Sequence, residues 1–486
     1  MKKVAVWAAF GVLLSGAGLG VAQELQSISA SDKAEGAKAN PQLLAEYGGL
    51  YPGKQATYVT GVGRRIAVQS GLSNSQSDFT IALLNSPVNN AFAIPGGYVY
   101  VTRQLMGLMN DEAELAGVLG HEVGHVAARH SAKRQAAAQR NSIFGALAQA
   151  AAGAFLGNSG FGELIGRGIG TGAQLLTLRY SRSQETEADA LGIRYLVGAG
   201  YDPSAMSSVL ASLQAQTNLD ARAAGKSANA LPAWASTHPE PGARVAQALN
   251  VAAKTGRAGQ GNRSRDAFLA ALDGAVYDDD PRQGIVDGRT FRHPDLRLRF
   301  TAPAGFALAN GSDAVSISGS GGQGQFSGGR LGTGLDAYVA AVFAKLTGGQ
   351  GVDASRVQRT RIAGFDAATA TARANTQSGQ VDVTVVAYQV SADSAYHFLL
   401  LTPAGSGLGP FSPMVQSFAR LTEAEARAIR GRRIQVVTVG PRDNVASLSA
   451  RMAYPDLKEE RFRVLNALTS GEQVRAGAKV KLVVAG

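Results

Sequence analysis

Cysteine is absent from all 486 residues. No disulfide can brace this chain, no thiolate can bind a metal, and no lipid can be attached through a lipoprotein cysteine. Tryptophan is scarce, at 2 residues, and aromatics are modest beside 60 glycines, so loosely packed helices and flexible connections are expected. Long apolar runs are missing beyond the first residues. Acidic residues number 36 against 47 Lys and Arg, which leaves a net charge of +11. The arginines are spread thinly, without aromatic residues between them, which is the pattern of a basic surface and argues against nucleic acid as a partner. A weak attraction to anionic lipid or cell wall is the other reading of the charge. The length suggests roughly two to four domains.

Lys2 and Lys3 precede an apolar run from Val4 to Leu19, and Gly20-Val21-Ala22 offers small residues before a cut at Gln23. That is the build of an export signal over residues 1–22. An uncleaved anchor is the alternative, but Gly11, Gly16, Gly18 and Gly20 make a poor spanning helix, which needs about 20 apolar residues. Export without cysteine fits a bacterial periplasm, with no stable transmembrane span once the signal is removed.

Residues 23–40 are polar and expected to be disordered or loosely docked. The stretch 41–250 is mostly helical in pattern, interrupted by alternating Tyr98-Val99-Tyr100-Val101-Thr102, a strand that Phe79 to Leu84 could pair with. Asp111 with Glu114 signals a helix start, and a second helix follows Ser181-Arg182-Ser183 and stops at Gly198. Residues 143–178, rich in Ala, Gly and Leu, read as a helical hairpin over a cleft, as ordinary core, or as a membrane-touching surface. A linker is expected over 251–290. Residues 291–421 read as a small α+β domain of unknown role, with a helix at Leu335 to Leu346 and a Gly/Ser loop at 318–329. Residues 430–486 give a β-α-α-β order. The fold class is therefore multidomain: a mainly α domain with a small β-sheet, then an α+β domain, then a small β-α-α-β domain.

The chemistry concentrates in His121-Glu122-Val123-Gly124-His125. Histidines four apart share one helix face and can reach a single zinc ion, and the glutamate beside the first is placed to take a proton from the attacking water. A catalytic zinc takes three protein ligands. Without cysteine, the third is a histidine or a carboxylate. Glu185 and Asp189, four apart on the second helix, face one way, so one can bind zinc while the other holds a histidine by its second ring nitrogen. Glu187 points roughly opposite and is left out. His130 reads as a surface residue, and His293 and His397 receive no chemistry.

These motifs, with Asn90-Ala91-Phe92-Ala93-Ile94-Pro95-Gly96-Gly97 upstream and Ser236-Thr237-His238-Pro239 and Arg244 downstream, resemble the gluzincin metallopeptidases of the CAAX prenyl protease and HtpX type. The soluble periplasmic BepA-like proteases are the most similar class. The resemblance spans about residues 40 to 250 and implies a zincin-like metallopeptidase domain over 41–250. It implies one Zn2+ per chain on His121, His125 and Glu185, with Glu122 as catalytic carboxylate and Asp189 behind the ligands. It brings His238 to the site, either to stabilise the oxyanion or to take the open zinc position in a resting state. Arg244 would pair with a carboxylate or contact the tetrahedral intermediate, and both are counted as catalytic candidates. Tyr98, Val99, Tyr100 and Val101 are expected to form an edge strand to which an extended substrate adds. Two departures stand out: this chain lacks the several membrane spans of the prenyl-protease relatives, and the helical repeats of BepA-like proteins.

Val437-x-Val439, Pro441-Arg442-Asp443-Asn444-Val445, Leu465-Asn466-Ala467-Leu468 and Ala476-Gly477-x-x-Val480 resemble a degenerate LysM module, which implies weak peptidoglycan contact. Together these readings predict a periplasmic zinc endopeptidase acting on unfolded or misassembled envelope proteins. A non-catalytic or dual chaperone or tethering protein is the alternative, and a cell-wall hydrolase a third.

Overall fold

The computed structural model describes residues 27–72, 74–134, 180–223, 238, 241–346, 357–376 and 379–486. The expected export signal, the 143–178 segment, and Ser236, Thr237 and Pro239 lie outside the described residues.

The polar N-terminal stretch is ordered from Ala30, against expectation. Helix α1 (Ala30–Glu46) is capped by Ser29, whose side chain accepts from the Asp32 amide. Gly36 lets it dock, because a Cβ there would stand 2.0 Å from the Pro95 carbonyl oxygen and 2.9 Å from the Tyr98 ring. Composition records polarity but not this one close contact. After α2 (Lys54–Ala67) come β1 (Thr80–Leu84), β2 (Ala91–Ile94) and β3 (Tyr98–Thr102). Strand β3 lies where alternation placed it, but in the middle of the sheet, parallel to β1 and antiparallel to β2. Its backbone is paired on both sides, so Tyr98, Val99, Tyr100 and Val101 cannot be the substrate's edge. The edges are β1, which Leu50 bridges at Leu84, and β2, whose outer side carries no other strand among the described residues. Gly96 and Gly97, at φ 88° and 83°, make the turn between β2 and β3.

Two helices carry the motifs. Helix α4 (Glu112–Ala127), which follows the short α3 (Arg103–Leu108), is capped by Asp111 accepting from the Glu114 amide. The Glu114 carboxylate in turn accepts from the Asn110 amide at 2.7 Å, one residue upstream of the usual box partner. Every residue of α4 from Glu112 to His125 is buried. Helix α5 (Arg182–Gly198) begins with a full capping box between Ser181 and Gln184. The two cross where both are smallest. A Cβ on Gly120 would lie 3.2 Å from the Gly192 Cα, one on Gly124 3.2 Å from the Ala188 carbonyl oxygen, and one on Gly192 3.0 Å from the His121 amide nitrogen. Gly192→Val is therefore expected to push the helices apart, costing about 1–3 kcal/mol of stability as overpacking does and weakening metal binding. A thermal melt with a zinc titration checks both; unchanged values would mean the crossing tolerates bulk. Helices α6 (Ala205–Ala223) and α7 (Pro241–Lys254) complete this layer.

The stretch expected as a linker contains α8 (Arg265–Leu272) and β4 (Val276–Tyr277). Phe268, Leu269 and Leu272 are fully buried in the same hydrophobic cluster as Leu115, Leu119 and Val123 of α4. The C-terminal segment runs strand (Arg432–Thr438), helix (Val445–Ser449), helix (Lys458–Leu465), strand (Lys479–Ala485), in the order the sequence suggested. Its strands pair with each other, and the first of them also with β4, and Ile434, Leu448, Phe462 and Leu482 join the hydrophobic cluster that holds Leu115, Leu119 and Val123 of α4. Lys481, fully buried, donates to the carbonyls of Gly107, Leu108 and Met109 at 2.9, 3.2 and 2.5 Å. It thereby caps the C-terminal end of α3, just before the metal-motif helix.

Between these lies a β-rich part with its own cores: a seven-stranded antiparallel sheet, a four-stranded sheet, and the helix Leu335–Leu346. The expected Gly/Ser loop at 318–329 is instead mostly the strand Gly322–Arg330. Its glycines make room for large side chains. A Cβ on Gly328 would meet the Tyr396 ring at 2.4 Å, and one on Gly324 the Leu400 side chain at 2.7 Å. The whole is thus a helical N-terminal region followed by β-rich regions.

Candidate metal centre

The α4–α5 crossing brings four side chains together. Ligating atoms of His121, His125, Glu185 and His238 all lie within 4.8 Å of one another, and all four residues are buried. His125 Nε2 is 3.0 Å from His121 Nε2 and 3.5 Å from Glu185 Oε1. His238 Nδ1 lies 3.1 Å from Glu185 and 3.3 Å from His121 Nε2. Ring nitrogens this close share either a proton or a metal ion.

Glu122 stands beside the cluster, fully buried, with neither carboxylate oxygen hydrogen-bonded to any described residue. His238 Nε2 is 3.4 Å from its Oε1 and 3.3 Å from the carbonyl oxygen of Ala91 on β2. Burial pushes the Glu122 carboxyl above its usual range, although His238 and His121 pull the other way. For Glu185 burial also pushes up, but His238, His121 and Arg244 outweigh it and hold the group ionised. Burial, then the neighbouring His121 and His238, keep His125 well below its ordinary value and so neutral, the form that binds metal. A buried carboxylate, a second one held ionised, and a neutral His125 imidazole beside two further ring nitrogens fit a divalent ion.

Behind the cluster, His121 Nδ1 bonds Asp189 Oδ1 at 2.9 Å. Arg244 grips Asp189 through Nε at 2.8 Å and through its terminal nitrogen at 2.6 Å, and reaches Glu185 at 2.6 Å. Of the two carboxylates α5 offered, Glu185 faces the centre and Asp189 the ring behind it. The Arg244 guanidinium is buried and paired with both of these acids, the carboxylate pairing that the sequence offered as one of its two roles.

Three residues were missed. His130 was read as surface and Glu187 was left out, yet His130 is fully buried, its Nδ1 2.8 Å from His125 Nδ1 and its Nε2 3.2 Å from Glu187. The reason is local. Helix α4 ends at Ala127, and Arg129 adopts a left-handed φ of 55°, which turns the chain back and brings His130 under His125. Continuing the helix on paper sends His130 elsewhere. Glu187 does point away from the centre, and meets His130 there. Tyr180, also unflagged, stacks on the His125 ring with centroids 3.9 Å apart.

Residues 53–252 match the model of Peptidase family M48. The chain is 32% identical over 251 residues to the mitochondrial metalloendopeptidase OMA1 of Schizosaccharomyces pombe, covering 49% of this chain and 69% of that protein. It is 31% identical over 198 residues to the beta-barrel assembly-enhancing protease of Escherichia coli K12, covering 40% of this chain and 38% of the relative. The metalloendopeptidase OMA1 of Bos taurus is 29% identical, with 35% and 32% covered. The chain thus spans well under half of these last two. Among the described residues, no helix is long and apolar enough to cross a membrane. The matched stretch contains the whole buried cluster, and its match to the fission-yeast enzyme runs through two thirds of that protein, so this chain belongs to peptidase family M48, the zinc-dependent metallopeptidases.

Proposed function

We propose that this endopeptidase works in a bacterial periplasm, cleaving peptide bonds of misfolded or misassembled envelope proteins. His121, His125 and Glu185 would hold the zinc, and Glu122 would be the general base. The convergence of those three ligating side chains beside an orphaned buried carboxylate carries the mechanism. A bound zinc lowers the pKa of water and polarises the scissile carbonyl. Glu122 takes the proton from the attacking water and returns it to the leaving amide nitrogen. Asp189 and Arg244 fix the ring of His121 and the carboxylate of Glu185. The substrate adds as a strand along the free edge of β2, beside a cleft lined by Leu72, Ala93, Gly96, His125 and Tyr180. Backbone pairing carries little sequence information, which suits unfolded chains of many sequences. The location rests on the N-terminal export-signal pattern, and the substrate class on the relatives named as assembly-enhancing proteases. An unfolded β-barrel protein should be cut and its folded form spared; equal cutting of both, or of isolated peptidoglycan alone, would overturn the assignment.

His238 occupies the space a substrate carbonyl needs. Its Nδ1 completes the ligand cluster and its Nε2 faces Glu122 and the β2 edge, which supports a resting state that the His238 side chain must leave before cleavage. His238→Ala should then raise basal casein hydrolysis severalfold. A fall would assign His238 to the oxyanion instead. The C-terminal segment, LysM-like in sequence, gives weak peptidoglycan contact; a cell-wall pull-down of the full chain with no recovery removes that role.

A further inference from the structure

His125 is positioned differently from His121. Both turn Nε2 toward the centre, where these nitrogens lie 3.0 Å apart. His121 Nδ1 then meets a carboxylate, Asp189. His125 Nδ1 meets another imidazole, His130 Nδ1, at 2.8 Å, and that ring's far nitrogen meets Glu187 at 3.2 Å. Two ring nitrogens at this distance share one proton, so one must donate and the other accept.

The order of donors follows once His125 binds the metal. A metal on His125 Nε2 requires that ring's proton on Nδ1, so His125 donates and His130 Nδ1 accepts. The proton of neutral His130 is then on Nε2, where the Glu187 carboxylate, which has no proton to give, accepts it. The ring of His125 is also confined by Tyr180, stacked on it with planes 16° apart. Tyr180 itself is tied to Ser131, 3.2 Å away and next to His130.

We propose that His130 and Glu187 form a positioning relay that sets the tautomer and ring angle of His125 for zinc. The relay rests on His125 being a ligand. It runs from a half-exposed carboxylate on α5, through one buried imidazole, to the second histidine of the motif. Since Glu187 is two residues from Glu185 on the same helix, α5 supports both histidines of α4, His121 through Asp189 and His125 through Glu187 and His130.

The test is zinc affinity of the full chain by competition with a chromophoric chelator, alongside the melting temperature of the zinc-free protein. His130→Ala should weaken zinc by about 10–100-fold, the effect of losing an outer-shell partner, while the zinc-free melt stays put. His130→Asn, whose Oδ1 can accept the same proton, should return to within about threefold of wild type, and Glu187→Ala should weaken zinc by roughly three- to tenfold. Packing alone would not distinguish Asn from Ala in this way. Affinity of His130→Ala within twofold of wild type, or His130→Asn as weak as His130→Ala, overturns the relay. If His130→Ala does not fold, Glu187→Ala decides, and wild-type affinity there overturns it equally. His125→Ala tests the ligand assignment separately: loss of zinc there with none in His130→Ala means that only the relay has failed.

Discussion

Glu122→Gln should keep its zinc and its fold and lose roughly 10²- to 10⁴-fold in kcat, the usual contribution of a positioned general base. The substitution changes one oxygen for an amide nitrogen in a fully buried side chain, so the surrounding packing is preserved. What it removes is the capacity to take a proton. Burial raises the Glu122 carboxyl above its ordinary value, toward the working pH where a base both accepts and returns a proton efficiently. The same desolvation makes the carboxylate costly to the folded state, and neither oxygen has a hydrogen bond to offset it. The variant should therefore melt no lower than wild type, a pattern typical of sites that trade stability for activity. Metal analysis, a thermal melt and casein hydrolysis together check this. Wild-type turnover in Glu122→Gln would end the proposed chemistry.

Glu185→Ala should have the other large effect, on metal retention. It deletes a side chain that faces both histidines of α4 and His238, so its cost should exceed the roughly 10–100-fold that outer partners contribute. It also leaves the buried Arg244 with one carboxylate where it had two. Breaking a buried pair costs about 3–5 kcal/mol; the remaining bonds to Asp189 should keep the loss at or below the lower end. Glu185→Gln, which keeps a donor-acceptor group for Arg244, should recover much of the stability and little of the zinc. Unchanged zinc affinity in Glu185→Ala would remove α5 from the ligand set and dissolve the site.

Much of this was readable in the chain because it depends on spacing. The motif histidines, the caps at Asp111 and Ser181, and the four-residue interval from Glu185 to Asp189 are periodic signals, and helices of this kind keep periodic order. What could not be read depends on where the chain departs from a period or meets a distant neighbour. A single left-handed residue, Arg129, hid His130. Strand order hid which edge was free, since alternation tells that Tyr98–Thr102 is a strand but not what flanks it. The glycines at 322–329 signalled a turn by type, when their purpose was to lie beneath Tyr396, Leu400 and Phe411.

The ammonium of Lys481 carries a consequence for timing. The turn it closes, at Gly107 to Met109, lies just ahead of the helix bearing His121, yet Lys481 is made 374 residues after Gly107. Until residue 481 is made, those carbonyls lack their cap and Leu482 has not joined the hydrophobic cluster to which Leu115 and Leu119 of that helix belong. A copy that stops short of residue 481 therefore lacks this tie to the turn that leads into the metal-motif helix.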